Sequence, residues 1–399
     1  MDGDGGTMTY LDYQATTPLA PAAFEAMVPW LRDQHANPHS PHREGRRARA
    51  AVELARDRVL AALVPTPMGD APATEGADAE IAARRPSGID SGRLFITSGA
   101  TEAANWAIAG TFDRLRAVRP KVVTIATEHA CVLDTCRMLQ ARGAELVVLP
   151  VGGDGLVDMT AAEAAIDDRT AVVAAMLVSN EIGVIQPIAR LGRLAHAAGA
   201  MMFCDAVQGW GRVGVPLWAC DLVAVSAHKV YGPKGIGALW VRHGAEPAAI
   251  LHGGGQEGGL RSGTLSPALC AGFGAAAMLL GPGDLDHAER LWAVARDILR
   301  GPDWILNGDR VRRYRGNLNV RMAGLDVARL MSECRDIAFS AGSACASGSG
   351  RTSHVLRAIG LSDVEAKTSI RIGFGRDTTE AELVTALEKI DRAARSQRT

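Results

Sequence analysis

The sequence predicts an α/β protein: a mainly parallel central sheet with helices on both faces, followed by a smaller α+β unit at the C-terminus. Three observations carry that expectation. Short apolar runs alternate with helical patterns from Arg93 onward, the order that builds parallel sheets through helical crossovers. Several runs, such as "TAVVAAMLV" and "DLVAVSA", are apolar at consecutive positions, as strands covered on both faces are. After about residue 281 the texture shifts to longer helical segments with few strand-like runs.

In chain order, "RLFIT" leads into the helical "GATEAANWAIAGTF" and "KVVTIAT" into "CVLDTCRMLQARG". The series continues through "ELVVLP", "TAVVAAMLV", "MMFCDA", "DLVAVSA" and "GALWVR". "GNLNVRM", "DIAFSAG" and "SIRIGFG" supply the strands of the C-terminal unit. The boundaries expected are a large domain over 20–280 and a small one over 281–399. Residues 65–92 are rich in Pro, Gly, Ala and Asp without sustained periodicity. They read as a flexible surface insertion.

Composition narrows the function classes. A 399-residue chain with 47% hydrophobic and 22% charged residues reads as a soluble globular protein of two domains. Its net charge of −1 and 5% aromatic content speak against a nucleic-acid partner, since neither a basic surface nor stacking rings stand out. No apolar stretch is long enough to span a bilayer, and no basic-then-apolar leader is visible, so no membrane association is expected. Seven cysteines without a CxxC pair fit a reducing cytoplasm and no metal site.

Open α/β sheets bind ligands beyond the carboxyl ends of their strands, and there the sequence places its capable residues. Lys229, in "SAHK", is one of five lysines and directly follows an apolar run beside His228. A desolvated lysine there is a plausible Schiff-base amine; a surface loop lysine satisfies the same pattern. Asp205 closes the run "MMFCD", an expensive place for a carboxylate unless a cation meets it. It is either an N-cap or the partner of a pyridinium nitrogen. Asp205 and Lys229 are 24 residues apart with one strand between them, so neighbouring strand ends present both.

"TSGATE" sets Ser98–Thr101 at a strand-to-helix turn, an anion site or an ordinary cap. His129 and Asn180 each follow a strand. "GGGQEGGLRSGT" is a loop that allows close backbone approach. Arg371 lies within a strand, where a substrate carboxylate or a structural carboxylate would balance it. Cys345 sits in "SAGSACASGSG" with nothing bulky to bury it. A structural cysteine seeks the core, whereas a reactive one needs access.

Together the ordered motifs "YLDYQATTPLAP", "TSGATE", "TEHACVLDTCR", "SNEIGV", "DAVQ", "SAHKVYGPKGIGAL", "HGGGQEGGLRSGT", "SAGSACASG" and "SIRIGFGR" resemble the cysteine desulfurases. These form a class V aminotransferase-like branch of the pyridoxal 5'-phosphate (PLP) enzymes of fold type I. The match spans nearly the whole chain. The resemblance implies an N-terminal arm over 1–19 packed with the small domain, and PLP held covalently by Lys229. It implies that Asp205 pairs with the pyridine nitrogen, Gln208 with the ring hydroxyl, and that His129 stacks on the ring and shuttles a proton. Thr101, Ser226 and His228 would hold the phosphate, with Thr264 reaching across from a partner subunit. Asn180, which also borders the cofactor, and Arg371 would bind the substrate carboxylate, and Cys345 would accept sulfur as a persulfide.

The activity so implied is the conversion of L-cysteine to L-alanine in a cytoplasmic homodimer, with sulfur passed to an acceptor protein such as an iron–sulfur scaffold. A selenocysteine lyase or aminotransferase of the same fold, or a non-catalytic sulfur-transfer partner, is the alternative. The chain departs from the family pattern at Gly258, where a basic residue is usual.

Overall fold

The structure, a computed structural model, describes residues 8–63, 92–342 and 352–397. Cys345, and the 65–92 segment apart from Gly92, lie outside the described residues.

The chain opens with β1 (Thr9–Tyr10), α1 (Pro21–Arg32) and α2 (Arg43–Leu63). In α2, Ala48, Val52, Ala55, Val59 and Leu63 are buried, the three-and-four spacing that lays one helical face on a core. Seven strands then form the large sheet: β2 (Gly92–Thr97), β3 (Lys121–Ile125), β4 (Glu145–Leu149), β5 (Thr170–Met176), β6 (Met201–Asp205), β7 (Leu222–Ser226) and β8 (Gly237–Arg242). Their order is β2-β8-β7-β6-β5-β3-β4. Pairs among β7, β6, β5, β3 and β4 are parallel, and β8 runs antiparallel to both β2 and β7. Every residue of β3, β5 and β7 is buried, as the consecutive apolar runs require.

Helices α3 (Ala100–Leu115), α4 (Ala130–Ala141), α5 (Met159–Ala165) and α6 (Ile188–Ala197) cross between these strands, and α7 (Pro267–Ala277) follows. Because successive strand side chains point to opposite faces, the sheet feeds two cores. Val123, Val173, Met202, Cys204 and Val225 pack in one cluster with Val52 and Val59 of α2 and Phe273 of α7. Val122, Val172, Phe203 and Ala224 pack in another with Trp106 of α3 and Leu139 of α4. Each fully buried aliphatic side chain contributes about 1.5–3 kcal/mol.

The C-terminal part holds α8 (Pro282–Ile298), β9 (Ile305–Leu306), β10 (Asn317–Arg321), α9 (Val327–Glu333), β11 (Ile337–Ala338) and β12 (Ser340–Ala341). It ends with α10 (His354–Ala358), α11 (Asp363–Lys367), β13 (Ser369–Gly373) and α12 (Glu380–Ser396). Strands β12-β13-β10-β9 form an antiparallel sheet. Leu318, Val320, Ile370 and Ile372 pack there against Leu291 of α8 and Leu383, Leu387 and Ile390 of α12. The N-terminal strand β1 pairs in parallel with β11, so residues before α1 are tied to this second core. Among the described residues no single helix is long and apolar enough to cross a membrane.

Candidate active site

Because β2, β3, β5, β6 and β7 share one direction, their carboxyl ends share one edge of the sheet. Lys229 closes the tight turn Ala227–Lys229 that follows β7. Its Nζ donates to the carbonyl oxygens of Gln14 and Ala15, each at 2.7 Å, which brings the N-terminal segment onto the site. Two residues on, Tyr231 adopts φ of 64°, a strained backbone for a bulky side chain, with its N–H held by Thr17 Oγ1 at 2.6 Å.

Asp205 ends β6 and is 6% exposed. Its Oδ1 accepts from the Val207 N–H at 3.0 Å. Burial pushes the carboxyl up, and nearby His129 and Lys229 pull the other way. Gln208 stands one turn further: its Nε2 donates to the Gln14 carbonyl at 2.8 Å. Arg212 grips the Gln208 side-chain oxygen and also donates to the Lys229 carbonyl at 2.7 Å. Sequence reading missed Arg212. The missing link was its tie to Lys229, which only the turn after β6 brings about.

His129 follows β3 and caps α4, its side chain accepting from the Cys131 N–H. Burial lowers its affinity for a proton; Asp205 opposes that, and Lys229 and His354 add to it. The preceding residue, Glu128, also escaped the sequence reading. It is fully buried, accepts from the Met176 N–H at 2.6 Å, and leaves its Oε2 without a partner. Burial, then Asp205, drives its carboxyl well above the usual range. Its position beside His129 in "TEHA" was the only signal available.

At the β2 end, Gly99 precedes α3 and no side chain caps that helix; Ser98 N–H is taken by Glu102 at 2.7 Å. Thr101 is exposed and Ser226 buried. His228 Nδ1 lies 3.2 Å from Thr16 Oγ1. Burial, then Lys229 and Lys234, push His228 down to about 4, so the ring is neutral at pH 7. Thr264 is exposed on the chain's surface. Gly258, at φ of 69°, stands beside a guanidinium nonetheless: a Cβ there would meet Arg93 Nη1 at 3.1 Å.

Asn180 and Arg371 are brought together from different sheets, Arg371 Nη1 donating to the Asn180 carbonyl at 3.1 Å. Arg371 also pairs with Asp12 at 2.6 Å, and Ser340 bridges to the same carboxylate oxygen at 2.8 Å. Its Nε is buried without a hydrogen-bond partner. The chain on either side of the undescribed Cys345 is anchored here. Gly342 N–H donates to the Ser369 carbonyl at 2.7 Å, Ser353 Oγ to Glu181 at 2.5 Å, and His354 Nε2 lies 2.8 Å from the Glu128 carbonyl.

This donor set suits a phosphorylated pyridinium. A buried carboxyl whose charge is disfavoured by burial wants a cation, an uncapped helix start wants an anion, and a lysine amine stands between them.

A family model described as aminotransferase class-V matches residues 87–386. The curated cysteine desulfurase IscS of Rickettsia bellii is 40% identical over 391 residues, covering 96% of this chain and 90% of that protein. That of Rickettsia prowazekii is 38% identical, covering 97% and 92%. Among solved structures, a NifS-like protein superposes with a TM-score of 0.84 at 28% identity, covering 97% of this chain and 99% of that one. SspA in complex with cysteine gives 0.77 at 33% identity, covering 92% and 98%.

Proposed function

The chain belongs to the aminotransferase class-V family, as a PLP-dependent cysteine desulfurase of fold type I, and we propose that Lys229, Asp205, His129 and Cys345 carry its chemistry. The observation that supports this reading is the convergence of Asp205, His129 and Lys229 at one strand edge, each felt in the titration of Asp205 or His129.

PLP, when bound, supplies an electron sink for bond breaking at the substrate carbon. Lys229 would hold it covalently, and its amine would be the base that works on the substrate. Asp205 would pair with the ring nitrogen, and Gln208 would present its amide to the ring hydroxyl, its side-chain oxygen held by Arg212. Thr101, Ser226, His228 and the uncapped start of α3 receive the phosphate; a neutral His228 donates to it without adding charge. Asn180 and Arg371 would orient the substrate carboxylate. His129 holds a proton at the ring face. Cys345 attacks the sulfur of cysteine: the carbon–sulfur bond breaks, a sulfur–sulfur bond forms, and the protons return to carbon, leaving alanine and a protein persulfide.

Thr264, exposed on this chain, completes the phosphate site of a second copy, which makes the active form a homodimer. The six described cysteines are all free, which supports a reducing, cytoplasmic setting and delivery of sulfur to an acceptor protein such as an iron–sulfur scaffold. Cys345→Ser is expected to keep the visible absorbance of bound PLP and to lose sulfide release from cysteine. Wild-type sulfide release in that variant overturns the role of Cys345.

A further inference from the structure

His129 caps α4, so its Nδ1 faces the first turn of that helix. The Cys131 N–H donates to Nδ1 at 3.2 Å, and the Cys131 sulfur lies 3.1 Å from the same nitrogen. A backbone N–H can only donate. Nδ1 therefore presents a lone pair, and the proton of the neutral ring sits on Nε2. One role is left to the thiol toward that nitrogen, which is to donate its S–H as well.

The sulfur's own chemistry agrees. Burial, then Asp205 and Glu128, push the Cys131 thiol up, which makes it a protonated donor and a poor nucleophile. It is thus unlike the thiol that must take sulfur from the substrate.

We propose that Cys131 is a positioning residue whose S–H, with its own backbone N–H, fixes His129 in the Nε2–H tautomer, so that the ring trades protons through Nε2 alone. The inference rests on His129 working at the cofactor and specifies which of its atoms works. Among the described residues, the charged groups that bear on the ring are Asp205 at the end of β6, Lys229 after β7, His354 of α10 and Asp134 of α4 itself. A substitution at 131 leaves all four in place, so a change in the titration of His129 reads the thiol.

The test is two-bond proton–nitrogen NMR on the PLP-loaded enzyme labelled with ¹⁵N-histidine, His129 being assigned by its loss in His129→Gln. The wild type is expected to show the Nε2–H tautomer. Cys131→Ala should raise the proton affinity of His129 by about three- to tenfold, the size of one net hydrogen bond. Cys131→Ser, whose hydroxyl donates in the same place, should stay within about twofold of wild type. An Nδ1–H tautomer in the wild type, an unshifted Ala variant, or a Ser variant shifted as far as Ala overturns the proposal. Sulfide release on the same samples separates the two ideas: full activity in His129→Gln overturns the proton-carrying reading of His129, whereas the spectra alone decide the tautomer.

Discussion

The two ends of the site treat their charges in opposite ways. At the carboxyl edge of the large sheet, Asp205 is buried against a single backbone N–H at 3.0 Å, and burial disfavours its charge. At the small antiparallel sheet, Arg371 is 1% exposed and already meets Asp12 at 2.6 Å. At the first end burial outweighs the pull of His129 and Lys229 on the carboxyl, a cost that a bound cation would relieve. The second end is neutralised in advance, so under the proposed role of Arg371 an arriving carboxylate would gain orientation from it more than raw attraction. Tight, permanent holding of a cofactor and quick exchange of a small substrate call for this asymmetry.

The largest effect that tests the cofactor end is removal of the amine. Lys229→Ala is expected to abolish the visible absorbance of bound PLP and to cut desulfurase turnover by about 10²–10⁴-fold or more, the range for loss of a positioned base. Wild-type colour in that variant would detach Lys229 from the cofactor.

The next contrast lies between two buried carboxyls. Asp205→Asn should lower kcat/KM about 10²-fold or more, because it removes a charge aimed at the ring. Glu128→Gln should stay within about threefold, since an amide replaces a carboxyl whose charge burial already disfavours. Equal losses in the two variants, measured by sulfide release, would erase the distinction.

At the other end, Arg371→Ala should raise KM for cysteine with a smaller change in kcat, as loss of ground-state binding does. Asp12→Asn should lower the thermal midpoint, since breaking a buried pair by removing one partner costs about 3 kcal/mol or more. It should also tighten KM by leaving Arg371 uncompensated. A KM unmoved by either change would place carboxylate recognition elsewhere.

The smallest effect is a pH slope in the cofactor-free protein. His228 titrates at about 4 when folded and at about 6.5 when unfolded. Between those values the unfolded chain binds more protons, so stability rises with pH and is complete above the unfolded value. Acidification from pH 6.5 toward 4 should lower the melting temperature, and His228→Asn should flatten that dependence. An unchanged slope would show that the half-buried, neutral ring plays no such part.

Most of the fold was legible because the strands of the large sheet are buried on both faces, and burial writes itself as consecutive apolar residues. "TAVVAAMLV" could hardly be anything else. The reversed direction of β8 was not legible, since an apolar run carries no sign. "DIAFSAG" reads as one strand, but the chain breaks at Phe339 into β11 and β12, which pair in different sheets, a split that a run this short carries no period to reveal. In the site, Lys229, Asp205 and His129 were legible because polar residues at strand ends are conspicuous. Glu128 was not, because only the fold reveals that this carboxyl is buried. Gln14, whose carbonyl receives both Lys229 and Gln208, lies 215 residues before that lysine, and no local pattern links them.

The central claim is that sulfur passes from cysteine to Cys345 at the site built around Lys229 and Asp205. Mass spectrometry of the PLP-loaded enzyme after a single turnover with cysteine, without reductant, tests it most directly. The account predicts one added sulfur on the peptide that contains Cys345 and none in Lys229→Ala. Added sulfur on the Cys131 peptide instead, or none on any cysteine while alanine is formed, would contradict it.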